Sequence, residues 1–228
     1  MKPNLEEKNK MTYELALKND KRSFLKYYAS LIQTKHSIVF SFVYNKDYNS
    51  KIIKIDLFFF SFVIFFAINA LFFNDNTMHK IYTDQCVFNF IYQIPQIVYS
   101  FLISSVIDII ITFFSLSEDD ILDFKKDKNK ITVKQRYKNL KEKLQIKFIF
   151  YFIISFILLL FFWYYLAMFG VVYKNTQIHL IKDTVISYIL SFISPFGFYL
   201  IPAIFRICSL SKKKKKCFYK LSLFFQSI

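Results

Sequence analysis

The basic residues of this 228-residue chain are sorted to one side of four long hydrophobic segments. Of 31 Lys and Arg residues, 28 lie in residues 1–54, 115–147 and 206–228, and three lie in the two other connections. About 20 apolar residues suffice to cross a bilayer, and Lys and Arg in short flanking loops stay on the cytoplasmic side. The pattern predicts an all-α, polytopic membrane protein with four transmembrane helices and both termini in the cytoplasm.

The hydrophobic segments set the predicted boundaries. The spans are expected at about residues 55–73, 88–114, 148–172 and 184–205. Residues 1–54 form a basic cytoplasmic N-terminal region, 55–205 the four-helix transmembrane domain with a cytoplasmic connector at 115–147, and 206–228 a basic cytoplasmic tail. The first 50 residues contain no early apolar core, so no cleavable signal peptide is expected.

The connector and the N-terminal region both contain helix signals. Ser117 precedes three acidic residues, a pattern typical of a helix start, and Val133 begins an apolar spacing of three and four that runs into the third span. The pattern of residues 11–31 predicts one polar, marginally amphipathic helix. Residues 38–43 are apolar but too short to cross a bilayer, and predict either an interfacial segment or a strand.

Composition supports the membrane assignment. Apolar residues make up 55 % of the chain, with 31 Phe and 2 Gly, whereas soluble domains contain about 7 % Gly. In a soluble protein the net charge of +15 would suggest a nucleic-acid partner, but the hydrophobic runs exclude that interpretation. The expected partners are membrane lipids, anionic on the cytoplasmic face, and further copies of the chain or other membrane subunits.

Two acidic residues in the hydrophobic segments are candidate functional groups. Asp108 lies inside the second span and Asp56 at the edge of the first. An ionisable residue within a span is by default a functional candidate, so Asp108 suggests an ion or proton role. The alternative is structural pairing, with Lys147 or Arg206 as the basic partner.

Prolines and a glycine mark candidate helix bends. These are Pro95 in the second span and Pro195, Gly197 and Pro202 in the fourth. Proline removes a backbone donor and clashes with the preceding turn, and interrupted helices can form the substrate site of a transporter. The alternative is that the bends only shape helix packing.

The basic tail predicts contact with anionic lipid. Lysines beside a span contribute about 1 kcal/mol each near an anionic surface, and the candidates are Arg206, Lys212, Lys213, Lys214, Lys215 and Lys216. Cys208 and Cys217 flank the lysines and are candidates for palmitoylation. The alternative is a topology anchor without regulation.

Enzyme motifs are missing from the sequence. Only Gly170 and Gly197 are present, so no glycine-rich phosphate loop exists, and no HExxH zinc motif or nucleophile triad motif occurs. The three cysteines are too scattered for a disulfide framework or a zinc site. We therefore expect no enzymatic activity, no metal and no cofactor.

Six blocks of the sequence belong together: IIKIDLFFFSF, NALFFNDNTMHKIY, FNFIYQIPQIVYS, LSEDDIL, NTQIHLIKDT and PFGFYLIPAIFRI. They resemble a membrane module of ciliate and related protist proteins. The module often forms the C-terminal region of large transmembrane proteins of unknown function. The resemblance implies a four-span fold and a membrane location, and a chain that is either a stand-alone copy or the C-terminal piece of a longer product.

Three functional hypotheses follow. The first is an integral membrane protein without a catalytic site that serves as an anchor or assembly module. The second is a subunit of an oligomeric ion channel or small transporter, which depends on Asp108 and the bent helices. The third is a lipid-handling enzyme, which no motif supports.

Overall fold

The computed structural model describes residues 4–73, 75–83, 90–126, 133–211 and 216–227. Within these ranges the chain is helical and contains no strand. The helices are α1 (Leu5–Asn9), α2 (Tyr13–Asn19), α3 (Phe24–Lys35), α4 (Lys51–Leu71), α5 (Asp75–Thr83), α6 (Phe90–Ser115), α7 (Glu118–Lys126), α8 (Val133–Val172), α9 (Gln177–Phe198), α10 (Leu200–Ser211) and α11 (Lys216–Ser227). Short helical turns lie at Val39–Val43 and Lys174–Thr176.

Four helical stretches are long and apolar enough to cross a membrane. They are α4, α6, α8 and the stretch formed by α9 and α10. The predicted all-α fold with four membrane-spanning helices is confirmed. The second span agrees closely with its predicted range, whereas the fourth begins seven residues earlier than expected, at Gln177.

Helix α8 joins the connector to the third span, as the spacing from Val133 predicted. It contains 40 residues, which at 1.5 Å per residue gives about 60 Å. The hydrocarbon core of a bilayer is about 30 Å thick, so the basic first part of α8 extends beyond it. The preceding helix, α7, begins at Glu118, directly after the predicted cap residue Ser117.

The fourth span is interrupted at one residue. Helix α9 ends at Phe198, and α10 begins at Leu200 after a turn at Tyr199. Pro195 and Gly197 lie inside α9, and Pro202 lies in the first turn of α10, where a missing N–H costs little. Pro95 lies inside α6, which continues without interruption.

The N-terminal region differs from its prediction in two places. The single helix expected over residues 11–31 is divided into α2 and α3. At the break, the Asp20 carboxylate accepts the Arg22 backbone N–H at 3.3 Å, a local bond that competes with helical bonding. The strand expected as one alternative for residues 38–43 is wrong, because Val39–Val43 forms a π-helical turn, closed by the Tyr44 N–H on the Val39 carbonyl.

The chain divides into two compact units. One unit combines residues 1–54 with residues 192–228, and the other contains residues 55–191. In the first unit, Tyr27, Leu31 and Ala203 form a buried apolar cluster. The N-terminal region and the tail, which the sequence suggested as separate segments, therefore pack into one unit together with the end of the fourth span.

Candidate functional site

Helix α6 buries a polar stripe and exposes an apolar surface. Gln93, Gln96, Ser100 and Ser104 are buried, and Asp108 continues the same spacing of three and four residues. The exposed side chains of α6 are mostly large and apolar, among them Ile91, Val98, Leu102, Val106, Ile110 and Phe113. A helix in water shows the opposite distribution, so lipid is the solvent that fits the outer surface of α6.

Polar side chains of α4 and α9 meet this stripe. Asp183 of α9 is fully buried, and its Oδ2 accepts a hydrogen bond from Gln96 Nε2 at 3.3 Å. One turn further along α9, the Ser187 hydroxyl lies 3.2 Å from Asn69 Oδ1 of α4 and donates to the Asp183 carbonyl at 2.6 Å. Three of the four membrane helices are thereby connected through polar groups.

The predicted candidates Asp108 and Asp56 lie further along the same unit. The hydroxyl of Ser61 on α4 lies beside the Asp108 carboxylate, and the Tyr151 hydroxyl of α8 donates to Asp56. Lys147, one of the two basic partners predicted for Asp108, instead binds Asp120 at 2.8 Å. That predicted pairing is wrong, because the Lys147 ammonium is already held in the connector.

We call these polar residues of the unit, Ser61, Asn69, Gln93, Gln96, Ser100, Ser104, Asp108, Asp183 and Ser187, the polar lane. From Gln96 to Asp108 it follows α6 for 12 residues, or about 18 Å of helical rise. Several of its buried atoms accept or donate no hydrogen bond within the described part of the chain, namely Gln93 Oε1, Ser100 Oγ, Ser104 Oγ and Asp183 Oδ1. Buried polar groups are normally paired, so these unpaired atoms are available to bind a polar ligand.

The predicted candidates do not include Asp183, Asn69 or most of the polar lane. Asp183 follows Lys182 in a polar stretch, which places it in the predicted connection before the fourth span. The signal that was present is the spacing of polar residues at 93, 96, 100, 104 and 108, which places them on one face of a helix. Asn69 is a single polar residue in an apolar run and gives no such pattern.

The second polar cluster surrounds Arg206 in the other unit. The Arg206 side chain is 0 % exposed. Its guanidinium donates to Asp20 Oδ2 at 2.8 and 3.1 Å and to the carbonyls of Asn9 and Lys8 at 2.9 Å each. The predicted contact of Arg206 with anionic lipid does not hold in this structure, because every polar edge of its guanidinium faces the N-terminal helices.

Two aromatic rings and a second arginine complete this cluster. The Arg206 guanidinium lies 4.7 Å from the Tyr27 ring centre and 4.9 Å from that of Tyr219. Arg22 binds the same carboxylate, at 2.8 Å from Asp20 Oδ1. We call Asp20, Arg22, Tyr27, Arg206 and Tyr219 the arginine clasp. It joins the N-terminal helices to α10 and α11.

The charge of Asp20 is stabilised by its two arginines. Burial alone raises the pKa of the carboxyl, but the hydrogen bonds and positive charges of Arg22 and Arg206 outweigh it, so the pKa of Asp20 lies below its usual value. The clasp therefore contains a charged Asp20 at neutral pH.

Helices α10 and α11 form an antiparallel hairpin that carries both candidate palmitoylation sites. The Ser222 hydroxyl donates to the Pro202 carbonyl at 2.9 Å, and the rings of Phe205 and Phe218 stack at 5.7 Å. This register brings Cys208 and Cys217 to the same end of the hairpin, and both thiols are exposed. Lys216 is exposed beside them, whereas the predicted lipid contacts Lys212, Lys213, Lys214 and Lys215 lie outside the described residues.

The described residues contain no group of three His, Cys, Asp or Glu side chains placed to hold a metal ion. No known protein family, curated protein or solved structure matches the chain.

Proposed function

We propose that the protein is a non-enzymatic integral membrane module that anchors or assembles other components at the cytoplasmic face. The observation that carries the proposal is the arginine clasp, in which Arg206 at the end of the fourth span binds Asp20 of the N-terminal region at 2.8 Å. Segments that pack together through a buried ion pair occupy the same side of a membrane. Four spans and a shared basic surface support a cytoplasmic position for both termini.

The proposed module has two kinds of partner, one at its cytoplasmic surface and one in the membrane plane. Anionic lipid would contact the lysines of residues 212–216, and palmitoylation of Cys208 and Cys217 would add an anchor beside them. A second membrane subunit, such as another copy of the chain, would pack against α8, whose large apolar side chains are widely exposed, including Phe152, Phe156, Leu160, Phe161 and Trp163. Packing in a membrane depends on such side-chain surfaces.

The anchor proposal is tested with the full chain purified in detergent and reconstituted in liposomes. We expect an oligomer of defined size, no leak of ions, and contact between the basic tail and the bilayer, followed with a fluorescent probe on Cys217, that increases with the fraction of anionic lipid. Neutralising Lys212 to Lys216 together should abolish the dependence on anionic lipid without releasing the protein from the membrane. A well-formed oligomer that conducts ions would contradict the anchor proposal.

A second candidate function is conduction of a small cation or proton, and the polar lane is the observation that favours it. Asp108 and Asp183 place carboxyl groups at two levels of one unit, and buried hydroxyls lie between them. Flux through reconstituted liposomes tests this role, with Asp108→Asn as the variant that should abolish it. Flux that persists unchanged in Asp108→Asn would exclude this carboxylate from the pathway.

Kinship with the C-terminal modules of large ciliate proteins stays a prediction. If it holds, the four spans would serve as the membrane anchor of a larger protein. Comparison of the gene's full reading frame with this chain is the direct test.

A further inference from the structure

The buried carboxylate of Asp183 lacks a neutralising partner among the described residues. Its Oδ2 accepts one weak hydrogen bond from the Gln96 amide at 3.3 Å, and its Oδ1 has no hydrogen bond within the described part of the chain. No described basic side chain forms an ion pair with it. A charged carboxylate removed from water at this depth is very costly unless a positive charge accompanies it.

Further oxygen atoms lie within one helical turn of the contact between Gln96 and Asp183. Gln93 Oε1 is one turn before Gln96 on α6, Ser100 Oγ is one turn after it, and Thr184 Oγ1 follows Asp183 on α9. All three side chains are at most 3 % exposed, and none of these oxygens has a hydrogen-bond partner among the described residues. Several unpaired buried oxygens within one helical turn of a buried carboxylate match the requirements of a hard cation.

The charge of the site restricts which cation fits. One carboxylate balances one positive charge, and no second acidic residue lies within a turn of Asp183 on α9 or of Gln96 on α6. A proton bound to one oxygen of Asp183 would donate a hydrogen bond to one further oxygen. The remaining buried oxygens would stay unpaired. An alkali cation takes several oxygen ligands at once and so satisfies more of them.

We propose that Asp183, Gln93, Gln96, Ser100 and Thr184 form a binding site for one alkali cation between α6 and α9. Asp183 supplies the charge, and the amide and hydroxyl oxygens supply neutral ligands. The proposal concerns binding, so it depends on neither the anchor role nor the conduction role. An anchor with such a site would use the cation to hold two of its membrane helices together.

Cation binding should stabilise the folded protein, because the ion binds the native state and not the unfolded one. The full chain in detergent is titrated with NaCl or KCl, with choline chloride keeping the ionic strength constant, while its thermal unfolding midpoint is followed. We expect a saturable rise in the midpoint with at least one of the two alkali cations. Direct binding of radioactive sodium or of rubidium, as a potassium substitute, should approach one ion per chain.

Two variants and a control locate the site. Asp183→Asn should abolish saturable binding, and Gln93→Leu should weaken it at least about tenfold, the usual range for loss of a supporting group at a metal site. Asp123→Asn, which removes an exposed carboxylate on α7, should bind like the unmodified protein. Because Asp183→Asn also removes a buried charge and can disturb folding, Gln93→Leu provides the second, charge-neutral test.

Two results would overturn the proposal. The first is a midpoint that responds equally to sodium, potassium and choline in the unmodified protein. The second is an infrared carboxylic-acid band that disappears in Asp183→Asn and does not change with alkali cations, since that band would mean that a proton neutralises Asp183 instead.

Discussion

At the scale of single residues, Arg206 shows how a basic side chain becomes internal. The guanidinium has five donors and no acceptor. Four hydrogen bonds join it to one carboxylate and two backbone carbonyls, and two tyrosine rings cover its faces. A lysine in the same place offers a point charge and no planar face. The geometry therefore requires arginine at position 206.

Removing Arg206 should strongly destabilise the unit that contains it. Arg206→Met keeps most of the volume but leaves Asp20 with one arginine, and loss of one partner from a buried ion pair costs about 3–5 kcal/mol. We expect a clearly lower unfolding midpoint in detergent, and no recovery in Arg206→Lys. The control is Lys216→Met, which removes an exposed cation. Equal midpoints for the two methionine variants would mean that Asp20 does not depend on Arg206.

The clasp should also open in acid. The pKa of Asp20 is lower in the folded protein than in the unfolded chain, where an aspartate titrates near about 3.9. Its contribution to stability is therefore complete above that unfolded pKa and is lost as the pH falls through the lower folded pKa. The protection factors for hydrogen exchange in residues 13–35 should fall over this acidic range. In Asp20→Asn the protection factors should be lower at neutral pH and should depend less on pH.

At the scale of elements, α7 is fixed to α8 by one carboxylate with two lysines. Asp120 contacts Lys143 at 2.7 Å and Lys147 at 2.8 Å, and Lys147 also donates to the Leu116 carbonyl at 2.6 Å. These interactions hold the pKa of Asp120 below its usual value, although burial alone would raise it. The connector is thus attached to the base of the third span.

Asp120→Asn should loosen α7 without unfolding α8. It removes the negative charge that pairs with Lys143 and Lys147, so hydrogen exchange in residues 118–126 should increase several-fold. Glu142→Gln is the matched control, because its ion pair with Lys138 is long at 3.9 Å and both side chains are exposed, at 56 % and 76 %. Such exposed pairs contribute about 0–1 kcal/mol. Equal exchange in the two variants would show that the Asp120 pairs do not hold α7.

Two side chains bind backbone carbonyls of α9 shortly before the turn at Tyr199. One belongs to α3 and the other to His36, the residue that follows α3. The Tyr28 hydroxyl donates to the Phe196 carbonyl at 2.9 Å, and His36 Nε2 lies 3.1 Å from the Phe192 carbonyl. Neighbouring polar groups of this kind are what a proline-containing membrane helix needs. This favours a packing role for Pro195 and Pro202 over a substrate site.

At the scale of the whole molecule, the two units give the chain two different polar interiors. In residues 55–191 a polar lane with unpaired oxygens runs between apolar outer surfaces, and in the other unit a charged cluster is fully paired by its neighbours. The paired cluster suits a structural role, and the unpaired lane suits a ligand.

The membrane orientation is a prediction for the whole chain. Tags at Met1 and Ile228 should both be digested by protease added to the cytoplasmic side. A probe at Asn76→Cys, in the exposed part of α5, should react from the opposite side. The background is a variant in which the native cysteines are replaced by serine. Labelling of Asn76→Cys from the cytoplasmic side would break the four-span topology.

The sequence alone determined the number, approximate position and helical character of the membrane spans, since lipid forces every backbone polar group to pair within its own segment. It also predicted the continuous helix from Val133, because periodicity is a local property. The tertiary structure decided which polar groups meet. Asp20 and Arg206 are 186 residues apart, and Gln96 and Asp183 are 87 apart. Such pairs depend on how helices pack, and no spacing in a single segment encodes that packing.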